Sequence, residues 1–345
     1  MARYVILAHK AFDYIYSKTG NMLIRYNEKE VVAVIDIDQA GKTADEVLGW
    51  GGNIPCVASF VEAKKFLPTD LVIGTAPQGG ILDQRSYNEI VDAIENNCNI
   101  ISGMHILLNE NENLIKKSIE NNISLIDLRK PPFPPHFPKG TWKSRQFPVL
   151  LVVGSDCDTG KMTTAWEITK RFKKRKKNVD FLGTGQTGIL LSGNGVPIDA
   201  VKADFMAGEI ERCLDQFDDN MDLVVVEGQG ALNNMYYSGV TLGLLHGCMP
   251  DYIILTHEPN RLIDAANHPI PLLNDLIELY IKLMKPFKKT TFLGINLLTL
   301  KLDNKTAIEK IKKTQELYKI PVTDLVRFDS YKFIDELEEK IIEWK

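Results

Sequence analysis

The residues best placed to do chemistry fall in one run of the second half of the chain. Val149–Val153 reads as a short apolar strand. It leads into Gly154-Ser155-Asp156-Cys157-Asp158-Thr159-Gly160-Lys161-Met162-Thr163-Thr164, and a helical pattern continues from Met162 to Arg175. A strand, a glycine-bounded loop, a lysine and a helix start favour an anion. Loop N–H groups and the first N–H groups of the helix converge on one point. Lys161 adds a full positive charge, and the glycines let backbone approach a ligand closely. The common phosphate-binding loop has four residues between its glycines and Ser or Thr after the lysine. Here five residues intervene and Met162 follows Lys161. Phosphate binding over Gly154–Thr164 is the expectation, and a plain strand-to-helix turn is the alternative.

Met162 bears on the kind of phosphate chemistry. The hydroxyl after the lysine ordinarily ligates magnesium. A thioether is soft and magnesium prefers oxygen. Thr163 is one residue further along the helix and points about 100° away. Magnesium-dependent phosphoryl transfer is therefore disfavoured, although Asp156, Asp158, Asp204 or Glu227 could hold an ion. Binding a diphosphate without cleaving it stays compatible.

Three further strand ends carry polar groups. Val224-Val225-Val226-Glu227-Gly228-Gln229-Gly230 presents Glu227 as a general base, a magnesium ligand or one half of a structural ion pair. As a base near neutrality, Glu227 needs its proton affinity raised by burial. Gly183-Thr184-Gly185-Gln186-Thr187-Gly188 reads as a polar loop, with Gln186 and Thr187 as substrate contacts and a flexible turn as the alternative. Asp199 and Asp204 follow as site or helix-capping residues. Thr256-His257-Glu258-Pro259-Asn260-Arg261 offers a guanidinium for a carboxylate and an imidazole for a proton. His246 reads as structural.

These ends need elements to hold them. After Val149–Val153, candidate strands are Val179–Thr184, Leu223–Val226, Tyr252–Thr256, Thr291–Asn296 and Val322–Phe328. Candidate helices are Met162–Arg175, Phe205–Gln216, Leu272–Met284, Ala307–Leu317 and Lys332–Trp344. Before residue 131 the strands are Tyr4–Ala8, Val31–Asp36, Asp70–Gly74, Asn99–Ser102 and Ser124–Asp127. The helices are Phe60–Phe66, Tyr87–Asn96 and Asn113–Asn121. Short apolar strands alternating with helices predict parallel sheets covered on both faces. The first half is Rossmann-like without the Gly-x-Gly-x-x-Gly fingerprint, so Asp36 reads as a turn residue. Gly74–Gly80 is its ligand candidate, with an ordinary turn as the alternative. Five prolines within 131–138 cannot continue a helix or central strand. The expected organisation is a Rossmann-like domain over 1–130, a proline-rich linker over 131–145, and a P-loop NTPase-like α/β domain over 146–345.

The long loop with its Asp156, and the Val-Glu-Gly-Gln-Gly segment, resemble dethiobiotin synthetase and related P-loop enzymes, whose glutamate helps bind magnesium. The whole chain resembles an uncharacterised-domain family often encoded beside an L-Ala-D/L-Glu epimerase. The resemblance includes Arg129-Lys130-Pro131-Pro132, Gly-Ser-Asp-Cys-x-x-Gly-Lys-Met-Thr-Thr, Val-Glu-Gly-Gln-Gly and His257-Glu258-Pro259-x-Arg261. That family includes D-glutamate N-acetyltransferases. The resemblance implies acetyl-CoA as acyl donor and an acidic amino acid as acceptor; for that chemistry the loop would cradle the diphosphate, Glu227 is the first candidate base, His257 could shuttle a proton and Arg261 could meet a carboxylate. An ATP- and magnesium-dependent enzyme that activates carboxylates is the alternative, and a nucleotide-responsive non-catalytic protein is a third reading.

Composition fits a small-molecule enzyme. The 345 residues are 44% hydrophobic and 25% charged with net charge −4, enough for two cores and without a positive field for nucleic acid or anionic membranes. No apolar run approaches the roughly 20 residues of a membrane span. The start of the chain does not read as a signal peptide, so a cytoplasmic location is expected. Five scattered cysteines with no Cys-x-x-Cys pair point to neither a disulfide framework nor a zinc site. The basic run Lys170–Lys177 reads as the solvated end of a helix. A homo-oligomer is the expected state.

Overall fold

Strands made almost wholly of valine, isoleucine and leucine can bury themselves only in a sheet covered on both faces. The computed structural model describes residues 2–75 and 82–344 and holds two such sheets, in two compact units. The first unit runs to Lys130 and takes in Ile189–Gly193. The second holds Pro131–Gly188 and the chain from Asn194 onward.

In the first unit the chain runs β1 (Tyr4–Leu7), α1 (Lys18–Asn27), β2 (Val31–Ile35), α2 (Ala44–Leu48), β3 (Cys56–Val57), α3 (Phe60–Ala63), β4 (Asp70–Ile73), α4 (Gln84–Glu95), β5 (Asn99–Ser102), α5 (Glu112–Glu120) and β6 (Leu125–Asp127). The strands are parallel in the order β3-β2-β1-β4-β5-β6, the doubly wound Rossmann arrangement. Alternate residues feed the two faces. Val5, Leu7, Leu71 and Ile73 pack with Phe60 and Ile90, while Ile6, Val34 and Val72 pack with Leu23 and Ile24. Asp36 is buried and takes the N–H groups of Phe12 and Asp38 at 2.9 and 2.8 Å, a turn-fixing role. The candidate loop Gly74–Gly80 lies outside the described residues beyond Thr75.

Sequence periodicity missed α1, α2 and β3. Gly20 and Asn21 are poor helix formers inside α1. Gly20 is needed there, because an added Cβ would lie 2.7 Å from Ile6 Cγ2. Only the buried Leu23 and Ile24 pay back that propensity.

The second unit contains β7 (Val149–Gly154), α6 (Lys161–Lys174), β8 (Val179–Leu182), the start of α7 (Gln186–Ser192, which belongs to the first unit from Ile189), α8 (Met206–Leu214), β9 (Leu223–Glu227), α9 (Ser238–Cys248), β10 (Tyr252–His257), α10 (Leu273–Met284), β11 (Thr291–Leu297), α11 (Asn304–Tyr318), β12 (Val322–Thr323) and α12 (Tyr331–Ile342). Its parallel order is β12-β11-β10-β7-β9-β8. Register sets Gly154 beside Thr256 and Val152 beside Glu227. The carboxyl ends of the three central strands therefore meet where the P-loop begins.

Two strand and loop expectations are corrected here, and two further segments gain partners. The strand expected over Val322–Phe328 stops at Thr323, because Asp324 Oδ1 takes the N–H groups of Val326 and Arg327 and turns the chain. The segment Gly183–Gly188 is not simply a loop: Gln186 opens α7. The basic run is tied down by acids, Lys173 to Asp180, Arg175 to Asp335 and Glu338, and Lys177 to Glu338. The proline-rich segment lies along α8. Glu211 takes the N–H groups of Lys139, Gly140 and Thr141, and Glu209 takes that of His136.

Candidate functional site

The loop after β7 curls around one point. Gly160, at φ +89°, caps α6 in the left-handed region, and Lys161 begins the helix. The first N–H groups of a helix lie outside its own hydrogen-bond ladder. Lys161 Nζ donates to Asp156 O at 2.7 Å, so the ammonium is held within the loop. An added Cβ on Gly154 would come within 2.6 Å of Thr159 Oγ1, 2.8 Å of Asp156 O and 2.9 Å of Lys161 Nζ. Gly228 is equally confined, 1.8 Å from Val152 O by the same measure, and the Lys161 stem passes beside it. A tight loop, a lysine and a helix start are thus brought together, the groups that a phosphate site uses.

Asp156 is the loop's hub. Fully buried, it accepts Asn234 Nδ2 at 2.8 Å and the Ala265 N–H at 2.9 Å, and it pairs with Arg261 at 2.6 Å. Arg261 also donates to Cys157 O at 2.8 Å. Asn233 Nδ2 donates to Ser155 O at 3.0 Å. Two segments, 233–234 and 261–265, are thus hung on the P-loop. Arg261, expected to meet a substrate carboxylate, meets the loop's own acid. Asn233 and Asn234 carried no sequence signal, since no motif spacing ties them to the loop.

His257 closes β10 with Nδ1 2.8 Å from Ser155 Oγ. Burial, assisted by the Arg261 charge and opposed by Glu258, lowers its pKa to about 4. The imidazole is therefore neutral through the physiological range. Burial raises the Cys157 thiol despite Lys161, so the sulfur keeps its proton.

Glu227 is buried at the end of β9. Its Oε2 accepts the N–H groups of Thr184 and Gly185 at 3.0 and 3.2 Å. An added Cβ on Gly188 would stand 2.2 Å from that oxygen. Glu227 thus ties β9 to the first turn of α7, which carries Gln186 and the buried Thr187. Met162 is buried, and Thr164 Oγ1 accepts Asn296 Nδ2 at 2.9 Å. Asp204 is exposed on a single turn, Ala203–Phe205. Among the described residues no three His, Cys, Asp or Glu side chains gather as a metal-binding group.

Comparison with known proteins follows the same division. Residues 136–334 match a domain of unknown function (DUF1611_C), a P-loop domain, and residues 37–131 match DUF1611_N, a Rossmann-like domain. The chain belongs to the DUF1611 family. A DUF1611 protein of known structure, from Anabaena variabilis, is similar over 99% of this chain and 100% of its own, with TM-score 0.92 and 33% identity. Two relatives are named D-glutamate N-acetyltransferase. The one from Tritonibacter scottomollicae is 36% identical over 294 residues, 84% of this chain and 87% of its own. The one from Pseudoalteromonas sp is 36% identical over 276 residues, 78% of this chain and 81% of its own. Family membership thus agrees with a Rossmann-like half followed by a P-loop half.

Proposed function

We propose that this DUF1611 protein is an N-acetyltransferase that moves the acetyl group of acetyl-CoA to the α-amine of an acidic amino acid, with D-glutamate as the first candidate. One observation carries the reading: the lysine of the P-loop is followed by a buried methionine instead of a hydroxyl residue. That pattern suits holding a diphosphate intact. The names borne by relatives at 36% identity support the same chemistry.

The bound thioester supplies the acetyl group, and attack by the amine breaks the C–S bond and releases the thiol. The P-loop amides and Lys161 hold the diphosphate. The neutral imidazole of His257 takes the proton that the amine gives up and passes it to the departing sulfur, with Ser155 holding its Nδ1 side. Glu227 keeps α7 in place for Gln186 and Thr187. Arg261, committed to Asp156 and Cys157 O, holds the loop in shape.

Equilibrium binding and thiol-release assays test this with wild type and Lys161→Ala. Acetyl-CoA should bind wild type, and the variant should bind about 10–100-fold more weakly. D-Glutamate should support thiol release. Tight ATP–magnesium binding with turnover, and no acetyl-CoA binding, would replace this reading with the carboxylate-activating one.

A further inference from the structure

Both segments that Asp156 secures lead straight into large exposed apolar side chains. Asn234 is followed by Met235, Tyr236 and Tyr237, which are 66%, 61% and 44% exposed. Arg261 is followed by Leu262 and Ile263, 74% and 48% exposed. A folded protein seldom leaves such side chains grouped in water without a use.

Neither lip is a loose end. The Tyr236 N–H donates to Asn234 Oδ1 at 2.9 Å, and that same side chain donates to Asp156. Tyr236 and Tyr237 meet edge to face with ring centres 6.1 Å apart. The Tyr237 backbone leans on Gly230, where an added Cβ would sit 2.4 Å from Tyr237 Cβ. On the other side, Ile270 N–H donates to Leu262 O at 2.8 Å, and Ile263 bridges Pro269.

A polar atom narrows the chemistry of the occupant. Asn233 Nδ2 donates to Ser155 O, which fixes the way its amide faces. Its Oδ1 is buried and accepts no hydrogen bond. An ionised phosphate or carboxylate offers no hydrogen to such an acceptor, whereas an amide N–H does. Ser155 also touches His257 through its hydroxyl, so Asn233 and His257 meet the loop at the same residue.

We infer that Met235–Tyr237, Leu262–Ile263 and Asn233 receive the amide-containing, largely methylene arm of a coenzyme A thioester whose diphosphate lies in the P-loop. This rests on the acetyltransferase reading above. The arm must run from the diphosphate to the reacting amine, and both lips are anchored on Ser155 and Asp156, the first of which His257 also touches. Its methylene groups cover the lips, and one of its amides supplies the hydrogen that Asn233 Oδ1 lacks.

The test is kinetic, on the full-length protein. The Tyr236→Ala/Tyr237→Ala pair is compared with Tyr236→Phe/Tyr237→Phe and wild type. Substrates are acetyl-CoA and acetyl-pantetheine, and ADP and pyrophosphate are the binding probes. The alanine pair should raise KM for both thioesters about tenfold. It should leave ADP and pyrophosphate affinity within about twofold, and the phenylalanine pair should bring the thioester KM most of the way back to the wild-type value. An equal loss of ADP affinity would assign the tyrosines to the base and overturn the inference. So would an unchanged thioester KM, whether or not light scattering shows that the alanine pair separates two copies of the chain. If wild type binds none of pyrophosphate, ADP and acetyl-CoA, the P-loop reading itself fails, a result distinct from failure of the lips alone.

Discussion

A fully buried carboxylate is costly unless something neutralises it, and Arg261 does this for Asp156 at 2.6 Å. Removing the acid strands three donors at once: Arg261, Asn234 Nδ2 and the Ala265 N–H. Asp156→Ala should therefore cost about 3 kcal/mol in urea denaturation, and a loss under about 1 kcal/mol would show that the hub is dispensable. His257 acts in the opposite direction, since its native pKa is pushed down to about 4 from the ordinary 6.5. Between those values the unfolded chain binds the proton and the native one does not, so stability falls as pH drops from 6.5 toward 4. The term is on the order of 3 kcal/mol if fully expressed. His257→Gln should flatten that slope, and parallel curves for variant and wild type would place the imidazole in water. The P-loop residues were legible in the sequence because Gly, Lys and helix start sit at contiguous positions. The Arg261–Asp156 pairing was not, because it joins residues 105 positions apart.

Elements were readable where burial pattern and propensity agreed. All six residues of β7 are buried and apolar or small, and the sequence shows it. Helix α9 hides because Gly239, Gly243 and Gly247 break its pattern. Gly247 has no alternative, since an added Cβ would lie 2.7 Å from Ile210 Cβ on α8. Helix α7 hides for the same reason at Gly188. Gly188→Ala should push Glu227 from the amides of Thr184 and Gly185 and lower kcat by about 100-fold, as a displacement of about 1 Å at a site can do. A fully active variant would free α7 from any role in the site. The proline-rich segment gives an element-scale test of stability. Glu211 takes three backbone N–H groups from Lys139 to Thr141, so Glu211→Ala should cost about 2 kcal/mol, with Glu211→Gln in between.

On the scale of the molecule, alternation of short buried strands with helices carried enough information to expect two parallel sheets, and the family match agrees. What the alternation could not convey is which strands neighbour which. The meeting of Gly154, Glu227 and His257 depends on β7 lying between β9 and β10, an order set by crossovers of long sequence separation. That convergence makes whole-protein stability a readout of ligand chemistry. A ligand bound by the folded state alone stabilises it by about 2.7 kcal/mol at 100 times its Kd. Acetyl-CoA should therefore raise the melting midpoint, and Lys161→Ala should need a proportionally higher concentration for the same rise. If binding uses the diphosphate alone, pyrophosphate should reproduce the shift at a comparable concentration, and if the rest of the molecule contributes, pyrophosphate should need a far higher concentration for the same shift. Heating curves across a concentration series separate the cases. A midpoint that responds to ATP with magnesium and ignores acetyl-CoA would mean that Met162 does not bar hard-cation chemistry, and the site would then belong to carboxylate activation.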